Sequence, residues 1–184
     1  MKKLFFVLLT LALVLGCAAA LGETTYKSAG FEYFLMEDGN AELIRYLGTE
    51  DAVTIPNELD GHPITRLRGN PFLQYGDDGA IFGVLSCTVS VSADHPCLTT
   101  VDGLLVSKED GKLIYCSPAT EGACVIPQGI TVIGDLAFLQ CDKLTAVTIP
   151  EGVMSIGGLA FDECSALERV TIPGSVSVIS SLIS

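Results

Sequence analysis

Few side chains in this 184-residue sequence have the types and spacing that catalysis needs. The histidines are His62 and His95, and no C-x-x-C pair accompanies them, so the usual ligand pattern of a zinc site is missing. Asp162 and Glu163 are adjacent, whereas paired catalytic carboxylates must face each other across a substrate. The Gly-rich stretch EGVMSIGG at 151–158 lacks the Lys-Ser/Thr of a phosphate-binding loop. We therefore predict a protein that is not an enzyme, with no catalytic residues, no metal site and no cofactor.

The cysteines beyond residue 22 are even in number, which would suit disulfides in an oxidising compartment. Cys141 and Cys164, however, follow the similar strings AFLQ and AFDE in two successive copies of a repeat. That placement is typical of small apolar side chains stacked in a core. The sequence leaves the disulfide state of the other four open: Cys87, Cys97, Cys116 and Cys124.

The first 22 residues have the layout of a secretory signal peptide. Lys2 and Lys3 precede the apolar run LFFVLLTLALVLG at 4–16, and small residues follow. The run is too short for a comfortable membrane span. The small residues at 18–22 suit an ordinary signal peptidase, whereas VLGC at 14–17 resembles a bacterial lipobox in which Cys17 would be lipidated. Both alternatives predict an exported domain, and only lipidation of Cys17 would attach it to a membrane.

A repeat organises the second half of the chain. The string IPQGITVIGDLAFLQCDKLTAVT at 126–148 is followed at once by IPEGVMSIGGLAFDECSALERVT at 149–171, and a third copy begins at Ile172. Self-similarity at a fixed period of 23 residues indicates a solenoid, in which each copy forms one turn of a coil.

Each copy predicts the same local structure. The motif VTIP reads as a short strand that ends at proline, because proline has no N–H for a parallel ladder. The residues around Ala-Phe have the i, i+3 spacing of a helical turn. Stacked turns would share a continuous core, with Ile133 over Ile156 and Phe138 over Phe161.

The stretch TIPEGVMSIGGLAFDECSALERVTIP at 148–173 closely resembles the BspA-like leucine-rich repeats of bacterial surface and secreted proteins. Ile-Pro, Ile-Gly, Ala-Phe, Cys and Leu recur in order and at fixed spacing. The resemblance covers about 31–184. It implies an α/β repeat solenoid, a right-handed leucine-rich-repeat coil with parallel strands, short helical turns and β-hairpin insertions, open at the C-terminal end.

The first half of the chain fits this scheme less regularly. VTIPNELDGHPITRLRGNPF at 53–72 reads as a first repeat, in which Pro71 replaces the usual Ala and puts the helical turn in doubt. FEYFLMEDGNAELIRY at 31–46 and GLLVSKEDGKLIYC at 103–116 each have two apolar runs around Asp-Gly, a typical hairpin signal.

Four segments are expected along the chain. They are a signal peptide at 1–22, an N-terminal β-hairpin cap at 23–50, irregular repeats with hairpin insertions at 51–125, and regular repeats at 126–171 that continue into a truncated repeat at 172–184. The leucine-rich repeats together occupy 51–184.

The outward-facing strand residues are the candidate binding face. Because strand side chains alternate, Ala146 and Thr148 point outward if Val147 and Ile149 point inward. Equivalent residues form two columns: Thr54, Ser90, Val125, Thr148 and Thr171 in one, and Ala52, Thr88, Ala123, Ala146 and Arg169 in the other. These columns hold no aromatic residue and one charge, whereas binding hot spots favour Trp, Tyr and Arg, so strand propensity explains the threonines better than a tuned site does. The candidate residues are Thr54, Thr88, Ser90, Ala146, Thr148, Arg169 and Thr171.

The function expected from this reading is that of a non-catalytic exported protein. The resemblance implies a protein-interaction or adhesive surface at the bacterial cell exterior, with an unknown protein or cell-surface ligand as the partner. The net charge of −12, spread along the chain, argues against nucleic acid. In the alternative, the chain is the N-terminal cap and scaffold of a longer repeat protein whose binding or catalytic region lies beyond Ser184.

Overall fold

The computed structural model of the chain describes residues 24–180, and every regular element within that range is a β-strand. The predicted signal peptide and Cys17 lie outside the described residues. No helix in the described range is long and apolar enough to cross a membrane. The strands are β1 (Thr25–Ser28), β2 (Phe31–Leu35), β3 (Ala41–Tyr46), β4 (Ala52–Ile55), β5 (Glu58–Leu59), β6 (His62–Leu67), β7 (Leu73–Tyr75), β8 (Ile81–Val84), β9 (Thr88–Val91), β10 (Leu98–Val101), β11 (Leu104–Ser107), β12 (Lys112–Tyr115), β13 (Gly122–Val125), β14 (Val132–Ile133), β15 (Leu144–Thr148), β16 (Ser155–Ile156), β17 (Arg169–Thr171) and β18 (Val178–Ile179).

The N-terminal region forms a five-stranded sheet in the order β1-β2-β3-β6-β5. Its β2–β3 hairpin turns at Asp38-Gly39, as the Asp-Gly signal predicts, and β1 adds an antiparallel strand that the sequence reading missed. Gly39 has φ +84°, a conformation that glycine adopts without steric cost. The Asn40 N–H donates to Asp38 Oδ1 at 3.0 Å and closes the turn. Strand β3 then pairs in parallel with β6, which joins the hairpin to the first repeat.

The regular repeats form a β-solenoid with two ladders of parallel strands. One ladder runs β12-β14-β16-β18 and the other β13-β15-β17. Ile133 pairs with Ile156, and the rings of Phe138 and Phe161 stack with centroids 5.0 Å apart at 21°. The predicted stacking of successive turns is therefore confirmed for these pairs.

The predicted short helical turns are wrong, because the segments around Ala-Phe contain no helix. Leu136 and Gln140 have φ of 56° and 58°, and their counterparts Leu159 and Glu163 have 52° and 54°. A left-handed residue at every fourth position prevents a continuous right-handed helix. The amides bond between turns instead: Phe138 N–H donates to the carbonyl of Ala160 at 2.9 Å.

The hairpin predicted at Asp110-Gly111 is formed by β11 and β12, and β10 extends it by a further antiparallel strand. This hairpin separates two hydrophobic cores. Leu105 and Ile114 pack into the N-terminal core, whereas their chain neighbours Val106 and Leu113 pack into the core of the regular repeats. Because strand side chains alternate between faces, one hairpin supplies apolar residues to both cores.

The C-terminal end of the described solenoid is an exposed edge. Strands β17 and β18 are the last members of their sheets, and Val178 and Ile179 are exposed.

Candidate functional site

The structure divides the candidate strand face into two patches. In the first, Thr54 on β4 pairs with Ser90 on β9, and their hydroxyl oxygens lie 2.9 Å apart. Thr88 is a neighbour on β9, paired with Ala52. All three hydroxyl side chains are exposed.

The second patch lies on β13, β15 and β17. Thr148 pairs with Thr171, and Ala146 pairs with Arg169, so the predicted columns have the register that the sequence indicates. Thr148, Arg169 and Thr171 are exposed, and Ala146 is half-buried.

The two patches do not form one continuous sheet. Strands β4 and β9 form a sheet of two, and β13, β15 and β17 form a separate sheet of three. The inserted strands β10, β11 and β12 come between β9 and β13 in the chain. Each patch therefore offers a few hydroxyl and methyl groups, and Arg169 in the second patch is the one charged residue among the candidates.

A more apolar surface, which the sequence reading missed, lies on the β7–β8 hairpin. We call Tyr75, Ile81 and Phe82 the aromatic hairpin patch. They are 42%, 42% and 65% exposed, and Tyr75 pairs with Ile81 across the hairpin. The available signal was Asp78-Gly79 between two runs containing aromatic residues, which is a typical hairpin turn.

The side chain of Gln140, in the regular repeats, is hydrogen-bonded to the β7–β8 hairpin that carries the aromatic hairpin patch. Gln140 Oε1 accepts a hydrogen bond from the Val84 N–H at 3.1 Å, and Gln140 Nε2 donates to Glu163 Oε2 at 2.7 Å. A shallow groove of about 180 Å³ runs between Phe82 and Leu159. The hairpin is thus attached to the solenoid at the end where Phe82 projects.

His95, one of the two histidines, is a core residue. It is 1% exposed; its Nε2–H donates to the Pro56 carbonyl at 3.1 Å, and its Nδ1 accepts the N–H groups of Cys97 and Leu98 at 3.3 and 3.2 Å. Burial lowers the pKa of His95, against the opposing effect of the Pro56 carbonyl. Both ring nitrogens are used inside the fold, so the imidazole holds the turn between β9 and β10.

The cysteine side chains between residues 24 and 180 are free thiols. Cys141 is fully buried, and its thiol lies 3.7 Å from the Ser117 carbonyl. Hydrogen bonding to the Cys116 and Cys164 thiols, together with burial, raises the pKa of the Cys141 thiol well above its usual range. A thiol that stays protonated is a poor nucleophile, and the interpretation of Cys141 as a packed side chain is confirmed. Within the described residues, no three His, Cys, Asp or Glu side chains are grouped to hold a metal ion.

Comparison with known proteins identifies the repeats. Residues 115–183 match the sequence model described as BspA type leucine rich repeat region (6 copies). The match covers less than half of the chain, and within it the sequence is similar to BspA-type leucine-rich repeats. The resemblance seen at 148–173 is therefore confirmed, and the BspA-type region extends to β12 on its N-terminal side. No curated protein matches the chain.

Several solved structures of bacterial proteins align with the chain. The pneumococcal vaccine antigen PcpA aligns with a TM-score of 0.57 and 23% identity, over 69% of this chain and 28% of that one. A leucine rich cell surface protein from Faecalibacterium prausnitzii A2-165 aligns with a TM-score of 0.47 and 23% identity, over 85% and 44%. A leucine-rich repeat protein from Eubacterium ventriosum aligns with a TM-score of 0.49 and 17% identity, over 74% and 40%. The chain spans less than half the length of each of these proteins, and the likeness to PcpA establishes the fold alone.

Proposed function

We propose that this BspA-type repeat protein is exported and non-catalytic, and that it binds a protein or cell-surface ligand at the bacterial cell exterior. The observation that carries the proposal is the aromatic hairpin patch. Tyrosine and other aromatic side chains supply much of the energy of protein interfaces. Phe82 is more than half exposed although it is a large apolar side chain.

The construction of the patch favours a rigid binding surface over a flexible loop. Asp78 Oδ1 accepts the Ala80 N–H at 3.0 Å, and the Gly76 N–H donates to the Ala80 carbonyl at 2.8 Å. With Gln140 bonded to Val84, both ends of the hairpin are fixed before a partner arrives. A pre-ordered surface loses less conformational entropy on binding.

Support for export comes from the N-terminal layout and from the family. The basic start, short apolar run and small residues of 1–22 are typical of a secretory signal. The similar pneumococcal protein is described as a vaccine antigen, which is in keeping with an exposed location.

The binding proposal is tested by replacing Phe82. The dye-labelled protein is titrated onto intact bacterial cells and onto epithelial cells, and the bound fraction is measured by flow cytometry. We expect Phe82→Ser to weaken binding about tenfold or more, because truncation of a hot-spot residue costs about 2 kcal/mol. Met154→Ser is the matched control, since Met154 is also apolar and 61% exposed but lies outside the patch. Equal binding by both variants, or no saturable binding by the parent protein, contradicts the proposal.

Export is tested separately by the intact mass of the protein recovered from a bacterial host. A mature chain beginning near Leu21 or Glu23 supports release, and a diacylated chain beginning at Cys17 supports a lipoprotein. An unprocessed chain retained in the cytoplasm contradicts export in either form.

The alternative function, as the cap and scaffold of a longer repeat protein, draws on the exposed edge at β17 and β18. Apolar side chains there, such as Val178 and Ile179, are of the type that a further turn would cover. The test is whether the native reading frame continues past Ser184 into further repeats; a stop codon there would contradict this alternative.

A further inference from the structure

The groove beside the aromatic hairpin patch is formed by two parts of the fold that are far apart in the chain. One wall is Ile81 and Phe82 on β8, and the other is Leu136 and Leu159, which occupy equivalent positions in successive turns. The groove volume of about 180 Å³ is below the roughly 300–1,000 Å³ of pockets that enclose small-molecule ligands. The groove therefore has room for one large side chain of a partner, and the rest of the partner would lie on the surface.

The walls of the groove are apolar and partly exposed. Phe82 and Ile81 are exposed, and Leu136 and Leu159 are half-buried. Leu139, which also lines the groove, is buried. An apolar side chain placed between the walls would remove surface on both of them from water, which is favourable.

Hydrogen bonds between turns fix the wall that contains Leu136 and Leu159. The Leu136 N–H donates to the Gly158 carbonyl at 3.1 Å, and the Gln140 N–H donates to the Asp162 carbonyl at 3.0 Å. The Gln140 side chain in turn accepts a hydrogen bond from β8. Both walls are therefore positioned before a partner arrives, which lowers the ordering cost of binding.

Carboxylates line the groove as well. Asp162 and Glu163 both contribute to it, and none of the described residues that line it is Lys or Arg. The Glu163 carboxylate accepts a hydrogen bond from the Gln140 amide at 2.7 Å, and this neutral donor leaves the negative charge in place. The turn of the β7–β8 hairpin carries two more exposed carboxylates, Asp77 and Asp78. The charges around the apolar walls therefore favour a positively charged partner group.

The same charges decide between two kinds of apolar partner. Exposed aromatic and aliphatic side chains can enter a membrane surface as well as a protein interface. Anionic lipid headgroups would be repelled by the carboxylates of the groove and of the hairpin turn. A protein segment that carries an apolar side chain beside a cation fits both the walls and the charges.

We propose that this groove binds a linear segment of a partner protein in which one large apolar side chain has Lys or Arg beside it. The apolar side chain lies between Phe82 and Leu159, and the cation lies next to Asp162 and Glu163. The inference rests on the proposed function, because it names the partner chemistry of the aromatic hairpin patch.

The test uses the 15N-labelled protein and three capped peptides. The probe is acetyl-Gly-Lys-Leu-Lys-Gly-amide; one comparison peptide has glutamate in place of both lysines, and the other has glycine in place of leucine. We expect the probe to give saturable NMR shifts of the Phe82, Leu159 and Glu163 amides. Each comparison peptide should bind at least about fivefold more weakly, because it loses the charge attraction or the apolar contact. Raising NaCl from about 20 mM to about 300 mM should weaken binding of the probe, since salt screens exposed charges.

Variants of the full chain locate the cation. The double variant Asp162→Asn, Glu163→Gln removes both charges and keeps an oxygen that can accept from Gln140, and it should weaken probe binding severalfold. The matched control is the double variant Glu151→Gln, Glu168→Gln. It changes the net charge equally at exposed residues outside the groove, so probe binding should be unchanged.

Several results would overturn the inference. Equal binding of the lysine and glutamate peptides would do so, and so would equal binding by the two double variants. The parent protein decides the question without any variant, because an absence of saturable shifts at the groove also overturns it. Sedimentation of the parent protein with vesicles of phosphatidylglycerol and phosphatidylethanolamine, if lost in Phe82→Ser, would show a membrane as the partner instead.

Failure of this inference can be told apart from failure of the proposed function. If Phe82→Ser loses cell binding but the probe gives no shifts at the groove, the patch binds a partner and the inferred partner chemistry is wrong. If the probe shifts the groove amides but the parent protein binds no cells, the cell-surface function is wrong and the inferred chemistry is supported.

Discussion

Between pH 7 and 5.5, a proton binds the imidazole of His95 more readily in the unfolded chain than in the folded one, because burial lowers its pKa in the fold. The contribution of His95 to the free energy of unfolding is therefore present above pH 6.5, the ordinary pKa of histidine. It is lost as the pH falls below that value. The carboxyls with shifted pKa values, such as Asp60 and Asp94, have ordinary values of 3.8 and shift downward, so they titrate below this window.

The resulting prediction is that the free energy of unfolding decreases from pH 7 to pH 5.5, by at most about 1.4 kcal/mol per pH unit for one proton. Urea unfolding at both pH values measures it. His95→Gln removes the titrating group and should flatten this dependence, although the variant itself is less stable. If NMR titration of the imidazole ring protons gives His95 a pKa of 6.5 or higher in the folded protein, the prediction is wrong.

At the scale of the element, the segment around Ala-Phe depends on left-handed residues that are not glycine. Glu163 is exposed and has φ 54°, which costs a β-branched residue more than it costs asparagine. We expect Glu163→Val to be about 1–2 kcal/mol less stable than Glu163→Asn, since both variants lose the bond from Gln140 Nε2 alike. Chemical denaturation of the two variants measures the difference.

Ser165 provides the control for this pair. It lies in the same segment, is exposed, and does not have a positive φ. The Val and Asn variants of Ser165 should therefore differ by much less. Similar differences at positions 163 and 165 would mean that backbone conformation is not the cause.

The sequence allowed some of these elements to be predicted and not others. Strand register followed from the period, because Ile133 and Ile156 occupy equivalent positions in turns that stack. The helical turn was predicted wrongly because i, i+3 apolar spacing also arises when consecutive tight turns bury every third or fourth side chain. That Leu136 is left-handed is invisible in a one-dimensional pattern, since leucine rarely adopts that conformation.

The surfaces were harder to predict than the strands. The aromatic hairpin patch had a local signal at Asp78-Gly79 that a search for turns could have found. The bond that attaches this hairpin to the regular repeats had no local signal, because Val84 and Gln140 are far apart in the chain and meet only after the sheets have formed.

At the scale of the whole molecule, Tyr115 links the two cores. Its ring packs on Phe72 with centroids 4.7 Å apart, and its hydroxyl accepts the Cys87 N–H at 3.1 Å while lying 2.8 Å from the Leu85 carbonyl. The next residue, Cys116, packs into the core of the regular repeats. A substitution that removes contacts of Tyr115 should therefore destabilise both cores.

We expect Tyr115→Phe to destabilise the protein by about 1–3 kcal/mol, because the Cys87 N–H is left buried without its acceptor. Tyr75→Phe, at an exposed tyrosine, should change stability by less than about 0.5 kcal/mol. Unfolding is followed by circular dichroism and by tyrosine fluorescence. Two separate transitions, or equal effects of the two substitutions, would contradict the idea that the β11–β12 hairpin couples the cores.

The parallel ladder from β12 to β18 also gives the solenoid a constant rise per turn along its axis. Neighbouring strands in such a ladder are about 4.8 Å apart, so each 23-residue unit advances the chain by that distance along the coil axis. Insertion or deletion of one whole unit among the regular turns would shift everything that follows by a single such step. The aromatic hairpin patch is bonded to Gln140, and Gln140 is bonded to Glu163 in the next turn, so units added after residue 171 would lengthen the coil without altering this patch.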